Sequence, residues 1–332
     1  YKLPDETEEK IEAIILDKNY EIKTKIGGEV GKRIYCKTAV EDYINHVVSV
    51  AEVRFDGLNI AIDTANGSAS VCAKEIFTRL GAKCHMLSDT PNGVNINLNC
   101  GSTHPEELMA FVKANKLDLG VAFDGDADRM LAVDENGDLV DGDKIIAICA
   151  AQMKQDGKLA KNTAVVTVMS NMGFFKFCEE NDIKCAKTAV GDRYVLERML
   201  QKGYNIGGEQ SGHVIFLDYA TTGDGELSAV KLIETVVKSG ATLGSLAKIM
   251  TVYPQVLINV PVTPQGKLKY NNDEYIISAV QEAEMDLNGD GRVLVRVSGT
   301  EPLVRVMLEG KNIEQITKLG NQIAEVVKER LS

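Results

Sequence analysis

Residues 58–80 read LNIAIDTANGSASVCAKEIFTRL, and this stretch joins a short apolar strand, a small polar loop and a helix. We place the strand at 58–62 and end the helix at Leu80, since Gly81 suits a helix C-cap. A second unit of the same shape follows at 164–178, which suggests a structural repeat. Parallel strands need a crossover, usually helical, so this alternation predicts a doubly wound sheet twice over.

The alternation changes at about Tyr253, beyond which strands and helices no longer follow one another strictly. The fold class predicted is therefore α/β: two doubly wound domains of mixed or parallel sheet, followed by a small α+β C-terminal domain. We divide the chain into a leading segment 1–37, α/β domains at 38–140 and 141–252, and the α+β domain at 253–332.

Composition excludes several classes of protein. The 332 residues are 44% hydrophobic and 26% charged, which is typical of an ordinary globular chain and not of a disordered one. The net charge of −11 makes nucleic acid a poor partner, because phosphate backbones require a basic face. Apolar runs are too short to cross a membrane. The seven cysteines show no metal-binding or disulfide spacing, so we expect reduced thiols and a cytoplasmic location.

The first loop with chemical character follows a predicted strand and reads DGDADR, residues 124–129. Asp124, Asp126 and Asp128 can converge where Gly125 lets the chain turn, and three converging carboxylates repel one another unless a cation neutralises them. Oxygen ligands select a hard ion such as Mg²⁺. The spacing does not fit an EF-hand, since Arg129 stands where that loop needs glycine. A solvated acidic turn is the alternative interpretation.

A second loop, RVSGTEP at 296–302, has the composition of a phosphate cradle. Its glycine permits a tight turn that aims backbone N–H groups at one point, and hydroxyl and guanidinium donors surround them. The candidate residues are Arg296, Ser298, Gly299, Thr300 and Arg305. The alternative is a hairpin turn flanked by two surface arginines.

Two further loops give weaker signals. Glu209, Gln210 and Ser211 lie between glycine pairs in GGEQSGH, residues 207–213, where they suit hydrogen bonding to a sugar or an amine. His213 ends this loop and is interpreted either as an acid–base group or as a loop support. Arg193 opens a helix after Gly191, which is an anion site in principle. A glycine-rich turn and an exposed arginine beside an Asp N-cap are the plainer alternatives.

Together and in this order, the loops resemble those of the α-D-phosphohexomutase superfamily. DGDADR is similar to its magnesium loop, GEQSGH (208–213) to its sugar-recognition loop and RVSGTEP to its phosphate-binding loop. The resemblance covers essentially the whole chain. GEQSGH, VGDRYV (190–195) and the opening YKLPDETEEKIE most resemble the bacterial branch that acts on glucosamine phosphate, whereas the phosphomannomutase/phosphoglucomutase branch more often has Met at Gln210.

The resemblance implies an isomerase that interconverts the 6- and 1-phosphates of glucosamine, for cell-wall precursor synthesis, through a phosphoserine and a bisphosphorylated sugar. It implies Mg²⁺ on the three aspartates and Arg129 on phosphoryl oxygens. It also implies sugar contacts from Glu209, Gln210 and Ser211, with Gln210 near the amino group, and phosphate contacts from the RVSGTEP residues. The partner implied is a small sugar phosphate, without nucleic acid or membrane, and a homodimer is left open.

One part of the family pattern is absent from the sequence. No string resembles the family's serine loop, T/S-A-S-H-N-P, and Ser102-Thr103-His104-Pro105 is only a superficial echo. We therefore expect 1–37 to be the remnant of a first domain and the chain alone to be inactive as a mutase. The alternatives are a phosphomannomutase or phosphoglucomutase, a non-catalytic sugar-phosphate-binding fragment, and a metal-dependent phosphatase.

Overall fold

The computed structural model describes residues 3–18, 20–21, 23–298 and 301–332. Its strands are β1 Asn59–Asp63, β2 Lys83–Leu87, β3 Leu119–Phe123, β4 Met130–Val133, β5 Leu139–Val140, β6 Thr163–Thr167, β7 Lys184–Thr188, β8 Ile206–Gly208, β9 Val214–Phe216, β10 Gln255–Pro261, β11 Gly291–Val297 and β12 Leu303–Gly310. Its helices are α1 Asp5–Leu16, α2 Ala39–Ser49, α3 Ala73–Arg79, α4 Glu106–Asn115, α5 Gly142–Gln155, α6 Met172–Glu180, α7 Asp192–Lys202, α8 Gly225–Ser239, α9 Leu243–Leu246, α10 Pro264–Lys269, α11 Glu274–Leu287 and α12 Ile313–Leu331.

The described residues form two compact units. Unit 1 contains the chain up to Met169 together with Asp182–Ile249, and unit 2 contains Ser170–Asn181 and Met250–Ser332. Helix α6 therefore groups with the C-terminal residues and not with the α/β region that flanks it in sequence. The division of the sequence into four domains remains a prediction.

Unit 1 contains two mixed sheets with helices, as the alternation predicts. In the first sheet the strand order is β2-β1-β3-β4-β5, with β1 parallel to β2 and β3, and with β4 antiparallel to β3. In the second sheet the order is β7-β6-β8-β9, with β6 parallel to β7 and β8, and with β9 antiparallel to β8. The first four strands of each sheet thus follow the same plan, and the similarity of residues 58–80 and 164–178 reflects a topological repeat.

The strand expectations need two corrections. The sequence pattern did not predict β4 and β5, which return antiparallel after the acidic loop. Residues 207–212 were interpreted as one glycine-rich turn, whereas Ile206–Gly208 forms the short strand β8 and pairs with β9. Two glycines give β8 a low strand propensity, and its parallel pairing with β6 overrides that preference.

Strand β3 is the part of the first sheet that positions the acidic loop. All five of its residues are buried, which is why it reads as an unbroken apolar run. Gly120 lies under α4, because a Cβ there would approach Val112 Cγ2 to 2.7 Å and Leu108 Cδ1 to 3.0 Å. The close packing of α4 on β3 fixes the carboxyl end of the strand, where Asp124 begins the loop.

Unit 2 contains a three-stranded antiparallel sheet of order β10-β12-β11. Helices α11 and α12 pack on it around a buried aliphatic cluster that includes Val306, Leu308, Ile316 and Ile323. This is the small α+β domain that the sequence predicts. Among the described residues, no helix is both long and apolar enough to cross a membrane.

Candidate functional site

Backbone contacts hold the acidic loop between β3 and β4 in place. The Ser68 N–H donates to the Gly125 carbonyl at 2.9 Å, and the Gly225 N–H donates to the Ala127 carbonyl at 2.8 Å. Ala127 adopts a left-handed φ of 59°, which curls the loop between the carboxylates that flank it. Gly67 has no substitute here, because a Cβ would lie 2.3 Å from the Gly125 oxygen.

The three carboxylates of this loop converge. Asp124, Asp126 and Asp128 each offer an oxygen, and these atoms lie within 4.8 Å of one another. Asp124 is 1% exposed and accepts from Arg129 Nε at 2.8 Å and from the Arg129 N–H at 3.1 Å. Burial raises the pKa of Asp124, although the Arg129 contacts lower it.

The donor set fits a hard divalent cation. Among the described residues the buried Asp128 Oδ1 has no hydrogen-bond partner, and Arg129 Nε lies 3.6 Å from it. A buried anionic oxygen without a hydrogen bond is costly. A cation bound among the three carboxylates would satisfy this atom and relieve their mutual repulsion. Oxygen-only ligands of this kind suit Mg²⁺, as the sequence predicts.

The loop between β8 and β9 presents side chains that are already held by the protein. Glu209 Oε1 accepts from the Gly191 N–H at 3.0 Å. Gln210 donates from Nε2 to Asp141 Oδ2 at 3.1 Å, and because a carboxylate only accepts here, the Gln210 carbonyl oxygen must point away from Asp141. Ser211 at the tip is exposed. The loop therefore offers hydrogen-bonding groups in fixed orientations.

His213 joins the two loops. Its Nδ1 lies 3.1 Å from Asp128 Oδ2, and its Nε2 accepts from the Gly223 N–H at 3.1 Å. A backbone N–H can only donate, so the ring proton sits on Nδ1 and points at Asp128. Asp192 Oδ2 lies 3.5 Å from Nε2. These contacts are those of a loop support, and the acid–base role remains a prediction.

Arg193, the anion-binding candidate at the start of α7, contacts two glutamates. Its Nε donates to Glu197 Oε1 at 3.2 Å, one turn along the helix, and Nη1 lies 4.0 Å from Glu8 Oε2. The side chain is 30% exposed. A role for Arg193 in phosphate binding remains a prediction.

In unit 2, two arginines face each other across the hairpin that ends in the phosphate-cradle motif. Arg296 on β11 is the direct cross-strand partner of Arg305 on β12. Burial, followed by the charge of Arg305, lowers the pKa of Arg296. Arg305 Nη2 donates to Glu301 Oε2 at 2.8 Å, whereas its buried Nε has no hydrogen-bond partner among the described residues, which leave out Gly299 and Thr300 of the turn. Like charges directly opposite each other destabilise a sheet, so a bound anion would stabilise this pair.

The same hairpin contains an arginine that is fully neutralised. Arg292 is the cross-strand partner of Glu309 and donates to its Oε2 at 2.6 Å. Arg292 lies four residues before Arg296 on β11. Its full pairing with a carboxylate is what we expect of an arginine with a structural role in this sheet.

The turn of the motif is described only in part. Ser298 is buried, and its Oγ accepts from the Glu301 N–H at 3.2 Å. The remaining candidates, Gly299 and Thr300, lie outside the described residues.

Sequence reasoning missed the supports of both loops in unit 1. Asp141 holds Gln210 and also caps α5 by accepting from the Lys144 N–H at 3.1 Å. Tyr43 and Glu226 belong to a buried cluster next to the acidic loop. The sequence can predict Asp141 as a helix N-cap, but it cannot predict the contact of Asp141 with Gln210.

Comparison with known proteins assigns the class. Three family descriptions match consecutive segments: phosphoglucomutase/phosphomannomutase alpha/beta/alpha domain II at 41–137, alpha/beta/alpha domain III at 141–253 and the C-terminal domain at 257–326. Two mixed sheets of one plan followed by a small antiparallel domain agree with that order. The chain belongs to the phosphoglucomutase/phosphomannomutase family, within the phosphohexomutase superfamily.

Curated proteins similar to this chain include phosphoglucosamine mutases. That of Alkaliphilus metalliredigens is 50% identical over 332 residues, which cover 100% of this chain and 74% of the relative. Among solved structures, a phosphoglucomutase/phosphomannomutase family protein from Burkholderia thailandensis superposes with a TM-score of 0.77 at 19% identity, covering 100% of this chain and 72% of the other. Aspergillus fumigatus N-acetylphosphoglucosamine mutase in complex with GlcNAc-6P and magnesium gives 0.68 at 20% identity, covering 88% and 65%.

Proposed function

We propose that this chain provides the metal, sugar and phosphate sites of an isomerase that interconverts glucosamine 6-phosphate and glucosamine 1-phosphate. The observation that carries the proposal is 50% identity over the whole chain to curated phosphoglucosamine mutases. The loop chemistry supports it, since each of the three motifs offers groups suited to one part of such a substrate.

Magnesium is the cofactor of this proposal, held by Asp124, Asp126 and Asp128. The bound cation neutralises charge where phosphoryl oxygens gather, which is the principal need of phosphoryl transfer. Arg129 is 41% exposed and anchored through Nε to Asp124, so its terminal nitrogens can reach a phosphoryl oxygen.

The remaining residues bind and orient the sugar phosphate. Glu209 and Ser211 accept and donate hydrogen bonds to sugar hydroxyls, and the Gln210 carbonyl oxygen accepts from the amino group. Arg296 and Arg305 hold the phosphate that does not react, together with Ser298, Gly299 and Thr300. One anion site that accepts either end of the sugar permits both phosphates to be handled in turn.

The nucleophile is proposed to come from outside these 332 residues. The chain spans 74% of the length of its phosphoglucosamine mutase relatives, and no serine loop of the family type occurs in its sequence. A cytoplasmic location is part of the proposal, and it is supported by seven cysteines that form no disulfide among the described residues.

The substrate is tested by titrating glucosamine 6-phosphate, glucose 6-phosphate and mannose 6-phosphate into the chain with Mg²⁺ by calorimetry. Tightest binding of the amino sugar supports the proposal. Preference for either hexose phosphate would favour the second candidate, a phosphomannomutase or phosphoglucomutase, which the family name also covers. Turnover is measured in parallel on the product of the complete gene, and phosphate release by the 332-residue chain alone would instead indicate a phosphatase.

The arginine pair predicts a charge-specific defect. Arg296→Ala removes a guanidinium aimed at a dianion, so binding of the sugar phosphate should weaken roughly tenfold to a hundredfold. Arg330→Ala is the matched control, because Arg330 pairs with Asp273 at 3.0 Å on the surface of the same unit. Equal affinities of Arg296→Ala and wild type would refute the cradle assignment.

A further inference from the structure

A buried cluster of acidic groups lies beside the metal loop, and the proposed reaction does not use it. The hydroxyl oxygen of Tyr43 lies 2.7 Å from Glu226 Oε2, and 2.9 and 3.0 Å from the two carboxylate oxygens of Asp224. Cys72 donates from Sγ to Glu226 Oε1 at 2.9 Å. Glu226 is 3% exposed. The cluster joins α2, the start of α3 and the start of α8.

If Asp224 and Glu226 were both ionised, the cluster would have one proton too few for its hydrogen bonds. The Tyr43 hydroxyl has one hydrogen and cannot donate to Asp224 and Glu226 together. Because two carboxylate groups both approach one hydroxyl to 3.0 Å or less, a second proton is required on one of the acids.

The second proton belongs on Glu226. Asp224 Oδ1 accepts from the Leu227 N–H at 2.9 Å and caps α8, and this backbone hydrogen bond favours the ionised form of Asp224. Among the described residues, the Glu226 carboxyl has only the Cys72 thiol and the Tyr43 hydroxyl as hydrogen-bond partners, and both stabilise a charge less than a backbone N–H does. Burial raises the pKa of both Glu226 and Asp224, but at Asp224 the hydrogen bonds from the backbone of Leu227 and Glu226 oppose the rise.

The cluster is connected to the metal loop through the first residue of α8. The Gly225 N–H donates to the Ala127 carbonyl at 2.8 Å, between Asp126 and Asp128 in sequence. A Cβ on Gly225 would lie 2.9 Å from that oxygen, so the helix start and the loop are in tight contact. A cavity of about 380 Å³ is lined both by the cluster and by Asp126 and Asp128.

We propose that Tyr43 and a protonated Glu226 are positioning residues of the metal loop. The Glu226 carboxyl donates a hydrogen bond to the Tyr43 hydroxyl, which in turn donates a hydrogen bond to Asp224, and Asp224 fixes the start of α8. That helix start in turn holds the Ala127 carbonyl and thereby the separation of the flanking carboxylates. Neither residue contacts the cation. The inference rests on the proposed magnesium site.

The first experiment compares two Tyr→Phe variants by Mg²⁺ calorimetry and thermal unfolding. Tyr43→Phe should weaken Mg²⁺ binding about threefold to tenfold, the effect of one hydrogen bond. Tyr270→Phe is the matched control, because Tyr270 donates to the Val295 carbonyl at 2.6 Å in unit 2, and it should leave Mg²⁺ affinity unchanged. Equal Mg²⁺ affinity of Tyr43→Phe and wild type would overturn the positioning role.

The second experiment tests the proton with Glu226→Gln. Glutamine offers an N–H₂ to Tyr43 and a carbonyl oxygen to Cys72, the same pattern as protonated glutamate, so Mg²⁺ affinity and stability should match wild type. A loss as large as that of Tyr43→Phe would show that the charge is needed and would overturn the assignment. The infrared difference between wild type and Glu226→Gln at neutral pH should also contain the C=O band of a protonated carboxyl, and its absence would overturn the assignment even if Tyr43→Phe did not fold.

Failure of this inference is distinguishable from failure of the proposed function. A wild-type chain that binds no Mg²⁺ would overturn the magnesium site and the positioning role together. A wild-type chain that binds Mg²⁺ with the same affinity as Tyr43→Phe would overturn the positioning role alone.

Discussion

The loop after β3 and the loop after β8 occupy the same place in the two sheets of unit 1, yet they carry opposite kinds of chemistry. The first loop follows β3, which is parallel to β1, and the second follows β8, which is parallel to β6. After each loop the chain returns as an antiparallel strand, β4 or β9. In the first loop three carboxylates converge, and among the described residues Asp128 Oδ1 has no hydrogen-bond partner and only an ion-pair contact of 3.6 Å with Arg129 Nε. In the second, Glu209 and Gln210 are already bound to Gly191 and Asp141.

The difference shows how one topology serves two purposes. A loop that concentrates like charges depends on an ion, because the protein supplies too few donors for its oxygens. A loop whose side chains are tied to the protein is pre-organised for a neutral or polar ligand, since little rotamer freedom remains to be lost on binding. His213 makes the two loops interdependent by donating to Asp128 from the end of the second.

The largest effect is expected from a substitution that removes one carboxylate from the first loop. Asp126→Asn should lower Mg²⁺ affinity roughly 100-fold or more, because loss of an outer-shell partner alone costs about 10–100-fold. Stability without metal should be equal or slightly higher, since repulsion among the carboxylates falls. Asp138→Asn, at an exposed turn of the same sheet, serves as the control in calorimetry. Unchanged affinity in Asp126→Asn would return the loop to a solvated acidic turn.

The next effect tests whether the loops are coupled. His213→Gln keeps an acceptor for the Gly223 N–H but loses the donor to Asp128, so Mg²⁺ affinity should fall about tenfold. His213→Asn keeps a donor at the position of Nδ1 and should retain more of the affinity. If both variants bind Mg²⁺ as wild type does, the second loop makes no contribution to the first.

A smaller effect is expected from Glu209→Gln, which keeps the shape of the side chain and removes its charge. A carboxylate accepts from the Gly191 N–H and from sugar hydroxyls more strongly than an amide, so sugar-phosphate affinity should weaken about twofold to tenfold. Mg²⁺ affinity should not change. A variant with wild-type sugar binding would indicate that the loop is only a glycine-rich turn.

The smallest effect concerns selectivity. Asp141→Asn still caps α5, because asparagine is as good an N-cap, but with its oxygen on the Lys144 N–H its amide nitrogen faces Gln210 Nε2 and cannot accept from it. Stability should stay within about 0.5 kcal/mol, while the preference for glucosamine 6-phosphate over glucose 6-phosphate should fall. The affinity ratio is measured for wild type, Asp141→Asn, Gln210→Met and the double variant. Additive losses would show that Asp141 does not act through Gln210.

Much of the site was readable from local sequence. The acidic loop, the loop at 207–213 and the arginine hairpin are short contiguous motifs, and the structure brings the three carboxylates of the first together. The sequence also placed Arg296 and Arg305 on either side of a tight turn, whereas their direct cross-strand pairing was seen only in the structure. Hydrophobic periodicity predicted the alternation of the longer strands and helices but missed the short strands β4, β5 and β8.

What the sequence determined by itself is the alternation of strands and helices and the chemistry of each loop, since both are properties of neighbouring residues. The tertiary structure alone decided which distant groups meet. His213 lies 85 residues from Asp128, and Glu226 lies 183 residues from Tyr43, so no local pattern links them. The glycine-rich strand β8 likewise exists because β6 and β9 pair with it on either side. Burial and long-range pairing outweigh local preference at these positions, which is the physical reason that the supports of the loops were not predicted.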